Sequence, residues 1–334
     1  MMTYGLEIEC GGLGTENELR QVIAGTRGVE YGGHFGYHGS RTLGLRCAEN
    51  GNENLWVSEN DGSLTAGNEG YTTNLVGPNG RGHEVISPVL RGVNGLTQAR
   101  MVMKSLSRAG CKVDRRCGLH VTVGVTNTSA RFRRMGKGRQ AQAIGRIVDL
   151  YDYFMDAGFN ALVSQSRRPG SPNCAYYAQG ISYPVHVGQS FGTRSQESAK
   201  ELLNYGINRG ALNIGNFTSN GTIEFRQHNG TLNGAKITNW ALLCGRIVSW
   251  ATTQEHPNFA KDLRNYTPDL AGLMDLLNLG TELRRDLIDR AQETTGWMPN
   301  NRHAQAYIEF QQGLGLEAIA NPPAGWVSTT GGVA

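Results

Sequence analysis

The sequence predicts an α+β protein with a largely antiparallel sheet, one face of which is lined by carboxylates while helices pack on the other. Three observations support this fold class. Short runs alternate apolar and polar residues, amphipathic helical stretches separate them without a regular βαβ order, and 46 glycines among 334 residues are spread without a period. A chain of this length can bury a large core.

The N-terminal third contains three predicted strands and one helix. "TYGLEIEC" alternates as a strand, and a helix follows in "TENELRQVIAG", where Thr15 and Glu18 have the spacing of a capping box. Residues 28–54 read as a long loop or a weak hairpin. "LWVSEN" is a strand that enters a tight turn at "DGSL", and "HEVISPVL" (83–90) is a strand that Pro88 ends.

The middle of the chain alternates between helices and strands. A helix is predicted in "NGLTQARMVMKSLSRAG", a strand in "GLHVTVGV" (118–125), and a long core helix in "AIGRIVDLYDYFMDAGFNAL". Residues 164–200 are loop-like. "ALNIG" and "GTIEFRQH" form a consecutive strand pair, and "KITNWALLCGRIVSWAT" is a strongly buried helix.

From about residue 255 the predicted secondary-structure elements are helices only. "LAGLMDLLNL", "TELRRDLIDRAQ" and "HAQAYIEFQQGL" are three amphipathic helices, and a Gly- and Thr-rich tail follows them. We therefore expect a core over residues 1–254 and a C-terminal helical extension with a loose tail over residues 255–334.

Composition narrows the class of protein. The formal charge of +4 gives no reason to expect a nucleic-acid partner. The basic run "RFRRMGKGR" (131–139) is either a solvated surface or a phosphate contact. Six cysteines without a CxxC pair indicate reduced thiols, and "MMTYGLEIEC" has no signal-peptide pattern. No run approaches the ~20 apolar residues that span a bilayer, so we expect a cytoplasmic protein without membrane contact.

Charged side chains recur on one face of several predicted strands. Side chains two residues apart on a strand point to the same face. If the strands pair in one sheet, a single face presents Glu7, Glu9, Glu84, His120, Glu224 and Arg226. Hard divalent cations with oxygen ligands, chiefly magnesium or manganese, would relieve the repulsion among these carboxylates. Arg226 could then hold a phosphoryl oxygen.

Each of these patterns also has a purely structural interpretation. A single pair of charges on a strand is usually an exposed face, and Glu224 with Arg226 could form a surface ion pair worth ~0–1 kcal/mol. His120 could be a structural histidine. The pattern of residues alone therefore leaves both interpretations open.

Six motifs, in this order, resemble the amidoligase family of carboxylate–amine ligases, which share a glutamine-synthetase-like fold. The motifs are "YGLEIEC", "WVSENDGSL", "HEVISPVL", "CGLHVTV", "RGALNIG" and "TIEFRQHNGTLN". The resemblance covers about residues 4 to 250 and implies a glutamine-synthetase-like core. It also implies a ligase in which ATP phosphorylates a carboxylate and an amine then displaces phosphate to form an amide.

The resemblance also implies residue roles. Two magnesium ions, or manganese ions, would be held by carboxylates and a histidine: one ion by Glu9 and Glu84, the other by Glu7, His120 and Glu224. Glu224 and Arg226 would be catalytic, with Arg226 stabilising the transferred phosphoryl group. Further candidates for contact with nucleotide or substrate are Asp61, Ser63, Arg209, Asn213, His228 and Asn229.

One departure keeps other functions open. The second histidine of the family's GLHVHV pattern is Thr122 in this sequence. A non-catalytic binding or assembly component that kept the fold is therefore an alternative, and a metal-dependent hydrolase that uses the same carboxylates is another. For the ligase we expect a small-molecule or peptide carboxylate and an amine as partners; an oligomer is compatible with the sequence.

Overall fold

The computed structural model describes residues 1–36, 55–65, 81–126, 130–169, 171, 210–253 and 263–297. Within strands, residues 62, 63, 65 and 81 are described by their backbone alone.

Eight strands in the described part of the chain form one sheet. They are β1 (Thr3–Cys10), β2 (Glu30–Phe35), β3 (Leu55–Thr65), β4 (Arg81–Ile86), β5 (Leu90–Arg91), β6 (Gly118–Gly124), β7 (Leu212–Asn213) and β8 (Thr222–Asn229). The order across the sheet is β2-β3-β4-β1-β6-β8-β7, and β5 pairs with β1 beyond the end of β4. Among the strands that the structure describes, only β2 and β3 pair in parallel. The predicted α+β class with a largely antiparallel sheet is confirmed.

Eight α-helices accompany this sheet in the described ranges. They are α1 (Glu16–Ala24), α2 (Gly92–Arg108), α3 (Ala130–Arg134), α4 (Lys137–Tyr153), α5 (Phe217–Asn220), α6 (Gly234–Thr253), α7 (Leu270–Leu276) and α8 (Thr281–Thr295). The predicted capping box starts α1, since Thr15 accepts from the Glu18 amide and the Glu18 side chain accepts from the Thr15 amide. Two short 3₁₀ helices, Phe159–Leu162 and Gln165–Arg167, follow α4.

The hydrophobic core lies between the sheet and the long helices. Leu6 and Ile8 of β1 and Phe225 of β8 are fully buried and belong to the same apolar cluster as the inner residues of α2, α4 and α6. Because side chains alternate along a strand, burial of Leu6 and Ile8 against the helices directs Glu7 and Glu9 to the opposite face. The packing of the core therefore determines which face carries the carboxylates.

Three local predictions differ from the structure. The "DGSL" stretch is not a turn: β3 continues through it, and a register shift between Asp61 and Thr65 absorbs the extra residues as a bulge. Residues 30–35 are a strand parallel to β3 rather than a loop or hairpin arm. The long helix predicted over "AIGRIVDLYDYFMDAGFNAL" ends at Tyr153, although Phe154 and Met155 remain buried beyond its end.

Two of the three predicted C-terminal helices are confirmed as α7 and α8, and the third, "HAQAYIEFQQGL", lies outside the described residues. None of the described helices combines the length and the apolar character that crossing a bilayer requires.

Truncation of the buried face of β1 should destabilise the fold. Leu6 is fully buried in the core, so Leu6→Ala should lower the free energy of unfolding by about 2–5 kcal/mol through lost burial and a residual cavity. Val93→Ala is the control because that side chain is 69% exposed, and its effect should stay within about 0.5 kcal/mol. Urea denaturation followed by circular dichroism measures both, and equal effects would contradict the described core.

Candidate metal centre on the carboxylate face

Strand register brings distant acids together on the sheet face opposite the hydrophobic core, which we call the carboxylate face. Glu7 of β1 pairs with His120 of β6, and Glu9 pairs with Glu84 of β4. Directly paired residues in an antiparallel sheet share a face and lie ~4.5–5.5 Å apart. All four side chains are therefore neighbours, although their positions in the sequence are far apart.

Three residues at the middle of this face form what we call the central cluster: Glu7, His120 and Glu224. Each offers a ligand atom, and these atoms lie within 4.8 Å of one another. His120 Nδ1 is 3.4 Å from Glu7 Oε2 and 3.5 Å from Glu224 Oε1. The cluster combines carboxylate oxygens with an imidazole nitrogen, a donor set that suits a divalent cation.

Glu224 is held in place by two neighbours. The Arg226 Nη2 and the Asn213 Nδ2 donate to Glu224 Oε2, at 2.8 Å and 2.9 Å. Arg226 Nε also lies 2.8 Å from Oε1, but the geometry there gives an ion pair without an aligned hydrogen bond. Oε2 is therefore saturated with donors, while Oε1 faces the central cluster.

Glu9 is buried and has a different set of neighbours. Its Oε2 accepts a hydrogen bond from the Gly118 backbone amide at 2.6 Å and lies 3.7 Å from Arg167 Nη2. Its Oε1 lies 3.7 Å from His120 Nε2. The imidazole of His120 thus sits among three carboxylates.

The ionisation of the face reflects burial and mutual repulsion. Burial raises the pKa of Glu9, and the charge of Asp61 raises it further, against the opposing influence of His120 and Arg167. Burial alone would lower the pKa of His120, but the hydrogen bond to Glu7 and the charges of Glu9 and Glu224 outweigh burial and raise it. Without a metal ion, therefore, the surrounding carboxylates favour the protonated form of the His120 imidazole.

Two buried atoms of the central cluster lack hydrogen-bond partners. These are Glu224 Oε1 and His120 Nε2. Two carboxylates roughly 4 Å apart repel by about 4 kcal/mol at an effective dielectric constant of about 20. A cation coordinated at the cluster would relieve that repulsion and would satisfy Glu224 Oε1, so the residues present fit a divalent metal ion.

A further acid extends the face beyond the residues predicted from the sequence. Glu59 of β3 is the strand partner of Glu84 and is fully buried. Sequence reasoning misses it because "SEN" resembles the end of a strand before a turn. The alternation Val57, Glu59, Asp61 within "WVSEND" is the signal that could have identified it.

The lower-priority candidates fall in different places. Asp61 is buried at the β3 end of the face and influences Glu9 electrostatically. Asn213 contacts Glu224 directly. Ser63 is described only by its backbone, and Arg209 lies outside the described residues.

The structure does not bring His228 to the carboxylate face, whereas Asn229 pairs with Gly118 at the end of that face. A register shift separates the pairs Leu119–His228 and Val121–Phe225, so His228 lies on the helix-covered side, 5.0 Å from the Trp240 ring. Asn229 accepts from the Ser164 amide at 2.7 Å and so anchors the segment after α4. One extra residue in β8 reverses the face of the side chains that follow it.

These motifs match a known protein family. The family model described as "putative amidoligase enzyme" matches residues 1–137 and 185–248, more than half of the chain. The chain therefore belongs to this amidoligase family, and the family description indicates a ligase-type enzyme. A search of curated proteins found no match.

The buried His228 should make stability depend on pH. Burial and the nearby Arg290 charge lower its pKa to about 3, whereas an unfolded histidine titrates near ~6.5. Below the pKa of the unfolded histidine, the unfolded chain binds a proton at this position that the folded chain does not bind. The free energy of unfolding therefore falls as pH decreases. The contribution amounts to about 2 kcal/mol between roughly pH 6.5 and 5.

Denaturation of the wild type and of His228→Gln at several pH values tests this dependence. The variant should lose less stability on acidification, by about 2 kcal/mol over that range. His120, whose pKa is raised, acts in the opposite direction: its contribution is present below ~6.5 and is lost as pH rises. Because both proteins retain His120, its contribution to the free energy of unfolding cancels when their pH dependences are compared. Identical pH slopes would show that His228 titrates normally in the fold.

Proposed function

We propose that this protein is an ATP- and magnesium-dependent carboxylate–amine ligase with a glutamine-synthetase-like catalytic core. The observation that carries the proposal is the central cluster, which lies on a sheet face beside the guanidinium of Arg226. Membership of the amidoligase family supports the reaction class. Together they indicate a site at which a metal ion and a fixed cation can act on a phosphoryl group.

Glu7, His120 and Glu224 would hold the magnesium ion. When bound, magnesium neutralises charge on ATP phosphate oxygens and orients them. The chain's own contribution is rigidity: Arg226 and Asn213 occupy one oxygen of Glu224 and leave the other directed at the cluster. Little side-chain reorganisation is then required when a cation binds.

Arg226 is suited to contact the transferred phosphoryl group. Its guanidinium lies next to a metal ligand and is partly accessible, with 16% of the side chain exposed. A guanidinium keeps its charge at all relevant pH values and offers several donors in a planar fork. In this role it would stabilise the negative charge of the phosphoryl oxygens during transfer.

The proposed reaction has two steps. The terminal phosphoryl group of ATP passes to a substrate carboxylate oxygen, and ADP leaves with the bridging oxygen. The amine nitrogen then attacks the acyl carbon of the resulting acyl phosphate, and inorganic phosphate leaves with the electron pair as the amine loses a proton. Small-molecule and peptide carboxylates both remain candidate substrates. Asp61 and Asn213 are the described lower-priority candidates that line the same face.

The reaction can be tested by screening pools of carboxylic acids and amines. Purified protein should release ADP only when magnesium, a carboxylic acid and an amine are present together. Glu224→Gln should lower kcat at least about 100-fold because it removes a charged metal ligand. Arg226→Lys should lower kcat by a similar factor with a smaller effect on KM, since a point charge replaces the planar fork.

Glu30→Gln is the matched control because Glu30 is an exposed strand residue in β2, and it should keep wild-type activity. Absence of both magnesium binding and ATP binding would overturn the proposal and favour a binding or assembly component. Turnover of an amide or phosphoester without ATP would instead indicate a metal-dependent hydrolase.

A further inference from the structure

We propose that Arg167 takes the place of a second metal ion at Glu9, so that the carboxylate face binds one divalent ion only, at the central cluster. This inference rests on the proposed metal site and specifies its stoichiometry. It differs from the arrangement that the family resemblance implies, in which Glu9 and Glu84 share a second ion.

Arg167 is a buried permanent cation. Its side chain is 2% exposed, and a guanidinium does not lose its proton inside a protein. A charge taken out of water requires an opposite charge nearby. Among the described residues, its ion-pair partner is Glu9, with 3.7 Å between Nη2 and Oε2. Removal of Glu9 to a metal ion would therefore leave a buried guanidinium without its counter-charge.

The backbone of β6 provides the space for this pair. A Cβ atom on Gly118 would lie 2.5 Å from Arg167 Nη2, so only glycine permits the guanidinium to lie against the strand. The amide of the same glycine donates to Glu9 Oε2 at 2.6 Å. One residue thus positions both partners, and the oxygen that faces Arg167 also accepts a backbone hydrogen bond.

Arg167 is anchored so that it cannot withdraw to admit an ion. Its Nη2 donates to the Arg116 carbonyl at 2.9 Å, and the Ser164 amide just before its 3₁₀ helix is held by Asn229. Helix α8 holds the preceding residues through two further bonds, from Arg290 Nε to the Leu162 carbonyl at 3.1 Å and from Thr294 Oγ1 to the Ala161 carbonyl at 3.0 Å.

Arg167 also lies outside the family's common sequence. It belongs to the stretch between residues 137 and 185, which separates the two segments that match the amidoligase model. Helix α8, which helps to hold that stretch, follows the second matched segment. A segment that the family model does not match therefore supplies a fixed positive charge to the acid that would otherwise need a metal ion.

The measurement is manganese stoichiometry of the purified full-length chain, obtained by calorimetric titration and by electron paramagnetic resonance of bound Mn²⁺. We expect one ion per chain in the wild type. Glu7→Gln should abolish this binding, whereas Glu9→Gln should retain one ion with an affinity within about threefold. Arg167→Met should bind a second ion, because Glu9 and Glu84 then lose the competing cation.

Arg168→Met is the matched control. It removes the neighbouring positive charge, whose guanidinium contacts backbone carbonyls of Val163 and Thr294 rather than Glu9, and it should keep one ion. Two ions in the wild type, reduced to one by Glu9→Gln, would overturn this inference and leave the proposed ligase intact. No bound ion in the wild type would overturn both. The stoichiometry of the wild type decides the question even if Arg167→Met or Glu9→Gln fails to fold.

Discussion

The repulsion among carboxylates on one face of the sheet is the constraint on which the rest of the site depends. Acids brought this close in a partly buried setting must acquire protons or cations. The chain uses both fixed and titratable positive charges: guanidinium groups at the margins of the face and an imidazole at its centre. A divalent ion at the central cluster would compete with a proton for the imidazole and would add positive charge among the carboxylates.

The antiparallel sheet makes this crowding unavoidable. Since β1 lies between β4 and β6, its two glutamates each meet a paired residue on a neighbouring strand. The apolar residues that alternate with those glutamates are locked into the core, so neither glutamate can turn away without exposing a buried leucine or isoleucine. The free energy of core packing therefore maintains an arrangement that electrostatics alone would disperse.

Sequence periodicity could predict the carboxylate face because the relevant strands have a strict two-residue alternation. It could not supply what depends on irregular backbone. The bulge in β8 moves His228 to the helix side, and the bulge in β3 carries the chain through an Asp-Gly pair that usually marks a turn. Arg167 escapes sequence-based prediction for another reason: its segment has no period, and its place beside Glu9 follows from tertiary contacts made by α8.

The replacement of the family's second histidine by Thr122 can be explained by the charged side chains around it. Thr122 stands where a second histidine is usual, opposite Glu224, whose outer oxygen already receives donors from Arg226 and Asn213. An imidazole at position 122 would bring another hydrogen-bond donor to Glu224, which already accepts from two side chains. Arg226 pairs with Glu224 inside the central cluster, whereas Arg167 pairs with Glu9 outside it. If Arg167 substitutes for an ion at Glu9, as we propose, the central cluster is the place that remains for a divalent ion.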